Sequence, residues 1–365
     1  MRKSVKLKDI VEYAKGSQIN GDNLIEEAEF DYLNGGINPS GKWNETNCDA
    51  NTITISEGGN SCGYVNYMRK PFWCGAHCYY LYNVVGNKQY LYYALKSQQD
   101  RIMKLRSGAC MPNIKKGDLG DFEFNFDDDV EGQDKVTNIL SKLESVIEER
   151  KQELLCLDKL TKARFVEMFG DVKHEEKYKG IPLRELCITM SGGTPSTKNT
   201  EYYEGNIPWI TTVSLGPNHI DGSTAKGYIT QEAIKNSATK LIPAGNILFG
   251  TRVGVGKSSI NDVDICTNQD IIAIIGIDEN RFNRVFIKHV LDDYQPYYDS
   301  LKKGATILGI TSDDLKDTLI PDAPIDVQAE FVAFVDQVDK SKVAVQKSLD
   351  EAQLLFDSLM QQYFG

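Results

Sequence analysis

Two segments of the chain repeat one helical pattern, and this repeat constrains the architecture more than any other feature. The segments Gln133–Gly170 and Gln328–Gly365 align without a gap at a constant offset of 195 residues. They close on Met168-Phe-Gly170 and Tyr363-Phe-Gly365. Because an internal repeat divides a chain into similar structural units, the sequence predicts two halves, each a globular segment followed by a long helix.

The apolar residues of both copies have the spacing of a coiled-coil seam. They recur at alternating intervals of three and four residues, with interruptions at Arg150 and Lys342. Such a narrow apolar stripe among charged residues favours pairing of the two helices over a lone surface helix on a globular core. At about 1.5 Å per residue, each helix is expected to be on the order of 50 Å long. The predicted pairing residues are Val136, Leu140, Leu143, Ile147, Leu154, Leu157, Phe331, Val335, Val338, Val345, Leu349, Phe356 and Leu359.

Length, charge and cysteine content limit the possible classes of protein. A chain of 365 residues is long enough for two or three domains. Its net charge of −11 argues against a free-standing DNA-binding protein, which usually carries a basic face. No stretch approaches the roughly 20 apolar residues of a membrane span, and the first residues lack the apolar core of a signal peptide. We therefore expect a cytoplasmic protein with reduced cysteines and no membrane association.

The globular segments are predicted to be mixed α/β. Short apolar runs bounded by Gly, Asn and Asp predict strands at Thr52–Ile55, Cys78–Tyr82, Asn246–Phe249 and Asp270–Ile275. Helices are expected around residues 90–106 and 283–302. The predicted fold class is α/β (α+β), with two globular domains separated and joined by two long antiparallel coiled-coil helices in a pseudo-twofold repeat. The predicted segments are a first domain at 1–132, a central helix at 133–171, a second domain at 172–325 and a last helix at 326–365.

A series of motifs in the second half resembles a known family. The order is Gly192-Gly-Thr-Pro-Ser196, Ile207-Pro-Trp-Ile-Thr211, a turn with Gly254 and Gly256, Thr267-Asn-Gln-Asp270, Gly304-Ala305 and then the long helix. Together they resemble the specificity subunits of type I restriction-modification systems. The segment Arg164-Phe-Val-Glu-Met-Phe-Gly-Asp171 is similar to the end of that family's central helix. The first half lacks the Gly-Gly-Thr-Pro-Ser run, as expected where the recognition domains vary.

The resemblance implies a non-catalytic subunit that recognises double-stranded DNA. Each domain would read one half of a split, asymmetric target, and the helix pair would hold the two domains at a fixed separation. Half-sites on one face of a duplex lie about 34 Å or a multiple apart. The helices would also bind two methyltransferase subunits, and restriction subunits would complete the complex. No cofactor is expected in this chain, whereas S-adenosylmethionine, ATP and Mg²⁺ are expected on the partner subunits.

Polar residues in the loops are the candidates for DNA contact, because bases and phosphates bind Arg, Lys, Asn, Gln, Ser and Thr side chains. Arg252 is the leading candidate, since it lies on a turn beside Gly254 that could approach a duplex closely. Trp209 is expected to pack beneath the loop. The candidates of the second half are Thr194, Ser196, Thr197, Lys198, Thr211, Thr212, Ser214, Thr251, Arg252, Lys257, Asn268 and Gln269. Those of the first half are Gln18, Ser40, Lys42, Asn44, Ser56, Asn60, Ser61 and Arg69, and for each residue ordinary turn chemistry is the alternative.

Three other kinds of site are suggested less strongly. Gly254-Val-Gly-Lys-Ser-Ser259 nearly forms a phosphate-binding loop, but Thr251 stands where its first Gly is required. Cys74-Gly-Ala-His-Cys78, with Cys48 and Cys62, could bind zinc, although an alignment of His77 with Gln269 makes this segment an ordinary loop. Asp171 with Glu175-Glu-Lys177 could bind Mg²⁺ in a nuclease, but solvated charges are usual after a helix.

Two other functions remain open. The acidic balance favours a tandem-repeat scaffold that binds proteins rather than DNA. The other alternative is a stand-alone methyltransferase or nuclease. The sequence argues against it, because it lacks Asn-Pro-Pro-Tyr-like and His-Glu-x-x-His motifs.

Overall fold

Two helices of 40 residues carry the repeated pattern. The computed structural model describes residues 2–108, 112–174, 177–304 and 308–365. The first long helix is Val130–Phe169 and the second long helix is Ile325–Phe364, so both predicted helices are confirmed. At about 1.5 Å per residue each is roughly 60 Å long. Ala305, Glu175 and Glu176, which belong to motifs considered above, lie outside the described residues.

The predicted apolar stripe is the packed face of both helices. Every predicted pairing residue is buried or half-buried, and none is exposed. Lys342 forms an ion pair of 2.7 Å with Asp158, and Arg164 forms one of 2.7 Å with Glu330. Because the residue number rises along one helix as it falls along the other, the helices are antiparallel where these pairs form.

The chain forms two units, and each long helix contributes to both. The first unit is Met1–Gln152 with Val345–Gly365, and the second unit is Glu153–Ala344. Each unit therefore contains one globular segment, the start of one long helix and the end of the other. The division into four segments at residues 132, 171 and 325 stays a prediction.

The described residues of the first unit form three small sheets. The four-stranded sheet has the order Glu12–Lys15, Cys78–Tyr82, Thr52–Ser56 and Val65–Met68. The three-stranded sheet has the order Gly41–Trp43, Phe30–Leu33 and Phe72–Cys74, the last two being parallel. Arg2–Lys6 pairs with Glu123–Asp127. The shorter helices are Leu7–Ile10, Lys88–Ser97, Gln99–Met103 and Lys116–Gly120, with a 3₁₀ turn at Gly21–Asn23.

The second unit repeats this arrangement with one additional strand. Its five-stranded sheet has the order Ile188–Ser191, Ile271–Ile275, Ile247–Gly250, Ser258–Asn261 and His219–Ile220. Its three-stranded sheet has the order Gly227–Ile229, Ile207–Ile210 and Cys266–Thr267, and Gly180–Pro182 pairs with Leu319–Pro321. The shorter helices are Gln231–Lys235, Arg284–Asp293, Gln295–Leu301 and Ser312–Lys316. Its 3₁₀ turns are Val172–His174, Leu183–Glu185, Thr200–Tyr203 and Thr212–Ser214.

Both helices predicted within the globular segments are broken in two. The first is interrupted at Gln98, whose N–H donates to the carbonyl three residues back, at Leu95. The second is interrupted at Tyr294, and Pro296 lies at the start of the helix that follows. Proline has no N–H to donate within a continuous helix, which accounts for the second break.

The repeated Phe-Gly signatures anchor the ends of the long helices. Phe169 packs against Phe286 in the second unit, with ring centroids 4.7 Å apart. Phe364 packs against Tyr90 in the first unit at 5.1 Å. Phe286 and Tyr90 lie on corresponding helices, Arg284–Asp293 and Lys88–Ser97. Aromatic side chains bury large apolar areas, so each signature fixes the end of one helix to a globular core.

A buried glutamine near the start of each long helix makes the equivalent connection. Gln133 accepts from the N–H of Asn87 at 2.7 Å and is 1% exposed. Gln328 accepts from the N–H of Asn283 at 2.8 Å and donates to the carbonyl of Ala323 at 2.8 Å. Asn87 and Asn283 are the residues that cap the corresponding helices. The repeat therefore begins where each helix is hydrogen-bonded to its globular segment.

We predict that Gln328→Met destabilises the second unit by about 2–4 kcal/mol. The substitution leaves the buried polar groups around residue 328 without their partners, at about 1–3 kcal/mol for each such group. Gln337→Met is the matched control, because Gln337 is exposed on the same helix. The measurement is urea-induced unfolding. Equal midpoints for the two variants would contradict this role of Gln328.

Candidate nucleic-acid interface

Loops of the second unit converge around Asp270 on a connected set of backbone hydrogen bonds. The N–H of Thr251 donates to the carbonyl of Asp270 at 2.8 Å. The N–H of Gly193 donates to Thr267 at 2.8 Å, and that of Asn268 donates to Ile210 at 3.1 Å. We call the segments 192–198, 211–214, 251–257 and 267–270 the second loop cluster. Four motifs that are distant in sequence thus form one surface.

The two glycines of the Gly-Gly-Thr-Pro-Ser motif permit this close approach. A Cβ atom on Gly192 would overlap the carbonyl oxygen of Asn268, and one on Gly193 would lie 2.5 Å from the backbone of Thr239. Beyond them the hydroxyl of Thr194 donates to Oε1 of Gln269 at 2.6 Å. Glycine is therefore required at both positions for steric reasons. The close backbone approach that it permits places Thr194 beside Gln269.

A carboxylate lies at the centre of the second loop cluster. Oδ1 of Asp270 is 3.6 Å from Nη1 of Arg252. Its Oδ2 accepts from Nδ2 of Asn268 at 3.2 Å. The side chain of Asp270 is 17% exposed, whereas that of Arg252 is 56% exposed. The carboxylate of Asp270 is thus held by Asn268, while the guanidinium of Arg252 reaches solvent.

The structure separates the predicted residues of the second half into two groups. The exposed ones are Thr194, Ser196, Thr197, Lys198, Arg252, Lys257 and Gln269, and Thr211 is half-buried. Thr212, Ser214, Thr251 and Asn268 are buried. Ser214 donates to the carbonyl of Thr224 at 2.6 Å, and Thr251 donates to that of Asp270 at 3.1 Å. These two hydroxyls support the loops and are not presented to a ligand.

Trp209 packs beneath the second loop cluster, as predicted. It is 6% exposed, and its Nε1 donates to the carbonyl of Gly193 at 3.1 Å.

The Arg252 turn does not form a phosphate-binding loop, because Lys257 is followed by the strand Ser258–Asn261. A phosphate-binding loop leads into a helix, whose N-terminus binds the anion.

The first unit has the same backbone frame with different side chains. The N–H of Glu57 donates to the carbonyl of His77 at 2.9 Å, as Thr251 donates to Asp270. Ser17 donates to Cys74 at 2.9 Å, and Gly75 donates to Leu33 at 2.8 Å, matching the bonds of Gly193 and Asn268. His77 therefore corresponds to Asp270, and the alignment of His77 with Gln269 was wrong by one residue. The reason is that His77 and Asp270 each immediately precede a strand, at Cys78 and Ile271.

Three charged or titratable side chains meet at this position of the first unit. Nζ of Lys15 is 2.6 Å from Oε1 of Glu57, and Nδ1 of His77 is 3.5 Å from Oε2 of the same residue. The side chain of Glu57 is 12% exposed, whereas that of His77 is 60% exposed. None of the three was among the predicted contacts. The strand starts at Cys78 and Ile271 were the signal that could have identified His77.

The predicted residues of the first half are more dispersed. Gln18, Ser40, Lys42, Asn44 and Asn60 are exposed. Ser56 is buried, and both Ser56 and Ser61 donate to the carbonyl of Gly35. Arg69 forms an ion pair of 2.8 Å with Glu144 of the first long helix. The structure therefore does not bring Arg69 together with the loops of its unit.

The cysteines of the zinc hypothesis are part of the apolar core of the first unit. Cys48, Cys74 and Cys78 pack with Leu33 and Phe72 in one buried cluster. Within the described ranges, no group of three or more His, Cys, Asp or Glu side chains is arranged to hold a metal ion. No helix within those ranges is both long and apolar enough to cross a membrane.

Comparison with protein families identifies the architecture. The model of the type I restriction modification DNA specificity domain matches residues 2–155 and 175–352. The chain belongs to this family. One match lies in each half of the chain, and the second match lies in the second unit except for residues 345–352.

Individual relatives agree with the family match. The chain is 33% identical over 180 residues to a putative type I specificity subunit of Mycoplasma genitalium, covering 48% of this chain and 43% of that protein. It is 30% identical over 214 residues to the specificity subunit of the Escherichia coli type I restriction enzyme EcoR124I/EcoR124II, covering 57% and 52%. The matches thus span about half the length of these relatives. The crystal structure of an M. genitalium type I S subunit has the same fold, with a TM-score of 0.68 at 21% identity over 100% of this chain and 96% of that one.

We predict that Gly192→Ala destabilises the second specificity domain by about 1–3 kcal/mol, because the added methyl group collides with the backbone of residue 268 and overpacks the loop. Gly227→Ala is the control, since a Cβ at Gly227 meets nothing within 4 Å. The midpoint of urea unfolding should fall for the first variant only. A comparable fall for both variants, or for neither, would exclude a steric role for Gly192.

Proposed function

We propose that the chain is the DNA-sequence-recognition subunit of a type I restriction-modification complex. The observation that carries this proposal is the backbone frame that the second loop cluster shares with the loops around Glu57 and His77 of the first unit, since the two present different side chains. Arg252 and Asp270 occupy the frame in the second unit, and Lys15, Glu57 and His77 occupy it in the first. Two similar readers with different chemistry suit an asymmetric target in two parts.

The long helices support a fixed distance between the two half-sites. They are antiparallel at the Lys342–Asp158 and Arg164–Glu330 ion pairs, and their stripes are buried within both units. A helix of roughly 60 Å is long compared with the ~34 Å of one DNA turn. In this proposal the helix pair acts as a spacer, and the non-contacted base pairs between the half-sites have a defined number.

Catalysis is assigned to other subunits. In this proposal two methyltransferase subunits bind the long helices and carry S-adenosylmethionine, and restriction subunits use ATP and Mg²⁺. The net charge of −11 supports this arrangement, because phosphate neutralisation needs more positive charge than this chain offers. The partner subunits would supply it.

The tandem-repeat scaffold is the less favoured function. Binding of proteins alone would leave the match to a DNA specificity domain in both halves without a role. It would also not account for a guanidinium held over a fixed carboxylate in the second loop cluster. The net charge of −11 is the observation in favour of the scaffold, and it is equally accounted for if partner subunits supply the positive charge that DNA binding needs.

The test is a map of methylated adenines in the host genome with and without the gene for this chain. We expect a split, asymmetric motif to lose methylation on deletion and to regain it when the intact gene is restored. The restored strain controls for effects on neighbouring genes. Persistence of every methylated motif after deletion would refute the proposed function and leave the scaffold as the explanation.

A further inference from the structure

We propose that Arg252 reads a guanine in the half-site bound by the second unit, and that Asp270 positions Arg252 for this contact. The inference rests on the proposed function and names the base that one of its DNA-contacting side chains recognises. Guanine presents two acceptors, O6 and N7, in the major groove, and a guanidinium can bind both. The alternative partner of an exposed arginine on DNA is a phosphate, which carries no sequence information.

The turn that carries Arg252 is held by its own backbone. The N–H of Gly250 donates to Lys257 at 2.9 Å, and that of Gly256 donates back to Gly250 at 3.0 Å. Gly254 has a φ of 76°, a conformation that glycine adopts without strain. A fixed backbone reduces the entropy lost when the side chain is ordered on a ligand.

Asp270 restrains the guanidinium without saturating it. Its contact with Arg252 is a single pair of 3.6 Å, and among the described residues Arg252 has no other ion pair. Arginine has five N–H donors, so most remain available. Asn268, which is 8% exposed, holds the other carboxylate oxygen. The guanidinium of Arg252 is therefore directed by Asp270, which in turn is held by the buried Asn268.

The same carboxylate disfavours a phosphate as the partner of Arg252. The Arg252–Asp270 pair has no net charge, so a phosphate approaching it gains attraction from one group and repulsion from the other. The edge of guanine is neutral and is not repelled. Lys198 and Lys257 are exposed and have no ion pair among the described residues, so these two lysines are the phosphate contacts of the second loop cluster.

Two exposed aliphatic side chains lie on the turns that form the second loop cluster. Val213 is 83% exposed, and the turn that carries it packs on Gly250, whose added Cβ would lie 3.5 Å from Thr212. Val253 is 55% exposed and is next to Arg252 in the chain. Exposed aliphatic groups in the same loop cluster as a positioned donor suit the interior of a groove, where methyl groups and base edges are contacted.

The experiment uses the complex of this chain with its methyltransferase subunits, expressed in a host whose methylated adenines are then mapped. The variants are Arg252→Gln and Asp270→Asn. The control is Arg281→Gln, because Arg281 is a similarly exposed arginine paired with a carboxylate, Asp322, at 3.0 Å. Unfolding midpoints of all four proteins establish that the variants are folded.

We expect the wild-type motif to contain a guanine at which both variants lose discrimination, by roughly 5- to 150-fold for Arg252→Gln. The other half-site and the Arg281→Gln motif should be unchanged. A loss of base preference at one position is a result that a merely structural role of Asp270 would not produce. Duplexes with 7-deazaguanine test the wild-type complex directly, and methylation should fall at that one guanine because its N7 acceptor is missing.

Three results separate the possibilities. If the wild-type complex methylates no split motif, the proposed function fails. If it does, but both variants methylate the same motif with unchanged base preference, the guanine assignment is overturned. The guanine assignment is also overturned if Arg252→Gln weakens methylation equally at all sequences, because loss of a phosphate contact has that effect.

Discussion

Burial of one apolar stripe on each long helix is the constraint on which the rest of the structure depends. The stripe residues are buried or half-buried along both helices, and the helices are divided between the two units. The first unit is therefore not a contiguous piece of chain, because Val345–Gly365 completes it, whereas the second unit is the single segment Glu153–Ala344. Phe364 completes the core of the first unit, although it lies about 270 residues after Tyr90, on which it packs. Removal of one helix would take apolar surface from both cores.

The two ends of each repeated segment are the points at which a long helix is attached to a globular segment. It begins at Gln133 and Gln328, each of which hydrogen-bonds the start of a shorter helix. It ends at Phe169 and Phe364, each of which packs on that same shorter helix in its unit. The features that the two copies share are thus the ones that fix the long helices to the globular segments, whereas the loops of the two units differ in chemistry.

The long helices could be predicted from sequence because their apolar period continues along each helix despite the interruptions at Arg150 and Lys342, and because it can be recognised without knowledge of distant contacts. The strands at Cys78–Tyr82 and Thr52–Ser56 were also recognisable from short apolar runs. The two helix breaks, at Gln98 and Tyr294, were not recognised, although Pro296 indicated the second.

The site was less predictable, because residue type does not distinguish a hydroxyl that supports a loop from one that faces a ligand. Ser56, Ser61 and Ser214 bond backbone carbonyls of their own unit. The trio of Lys15, Glu57 and His77 is assembled by strands that are distant in sequence.

The central proposal is that two different recognition domains of this chain bind the two parts of one DNA target. The most direct measurement is methylation by the complete complex of duplexes in which the spacer between half-sites is changed one base pair at a time. Each base pair moves one half-site by about 3.4 Å and rotates it by roughly a tenth of a turn. The account predicts one preferred spacer, with at least a tenfold loss on either side. Equal methylation across several spacers would contradict it.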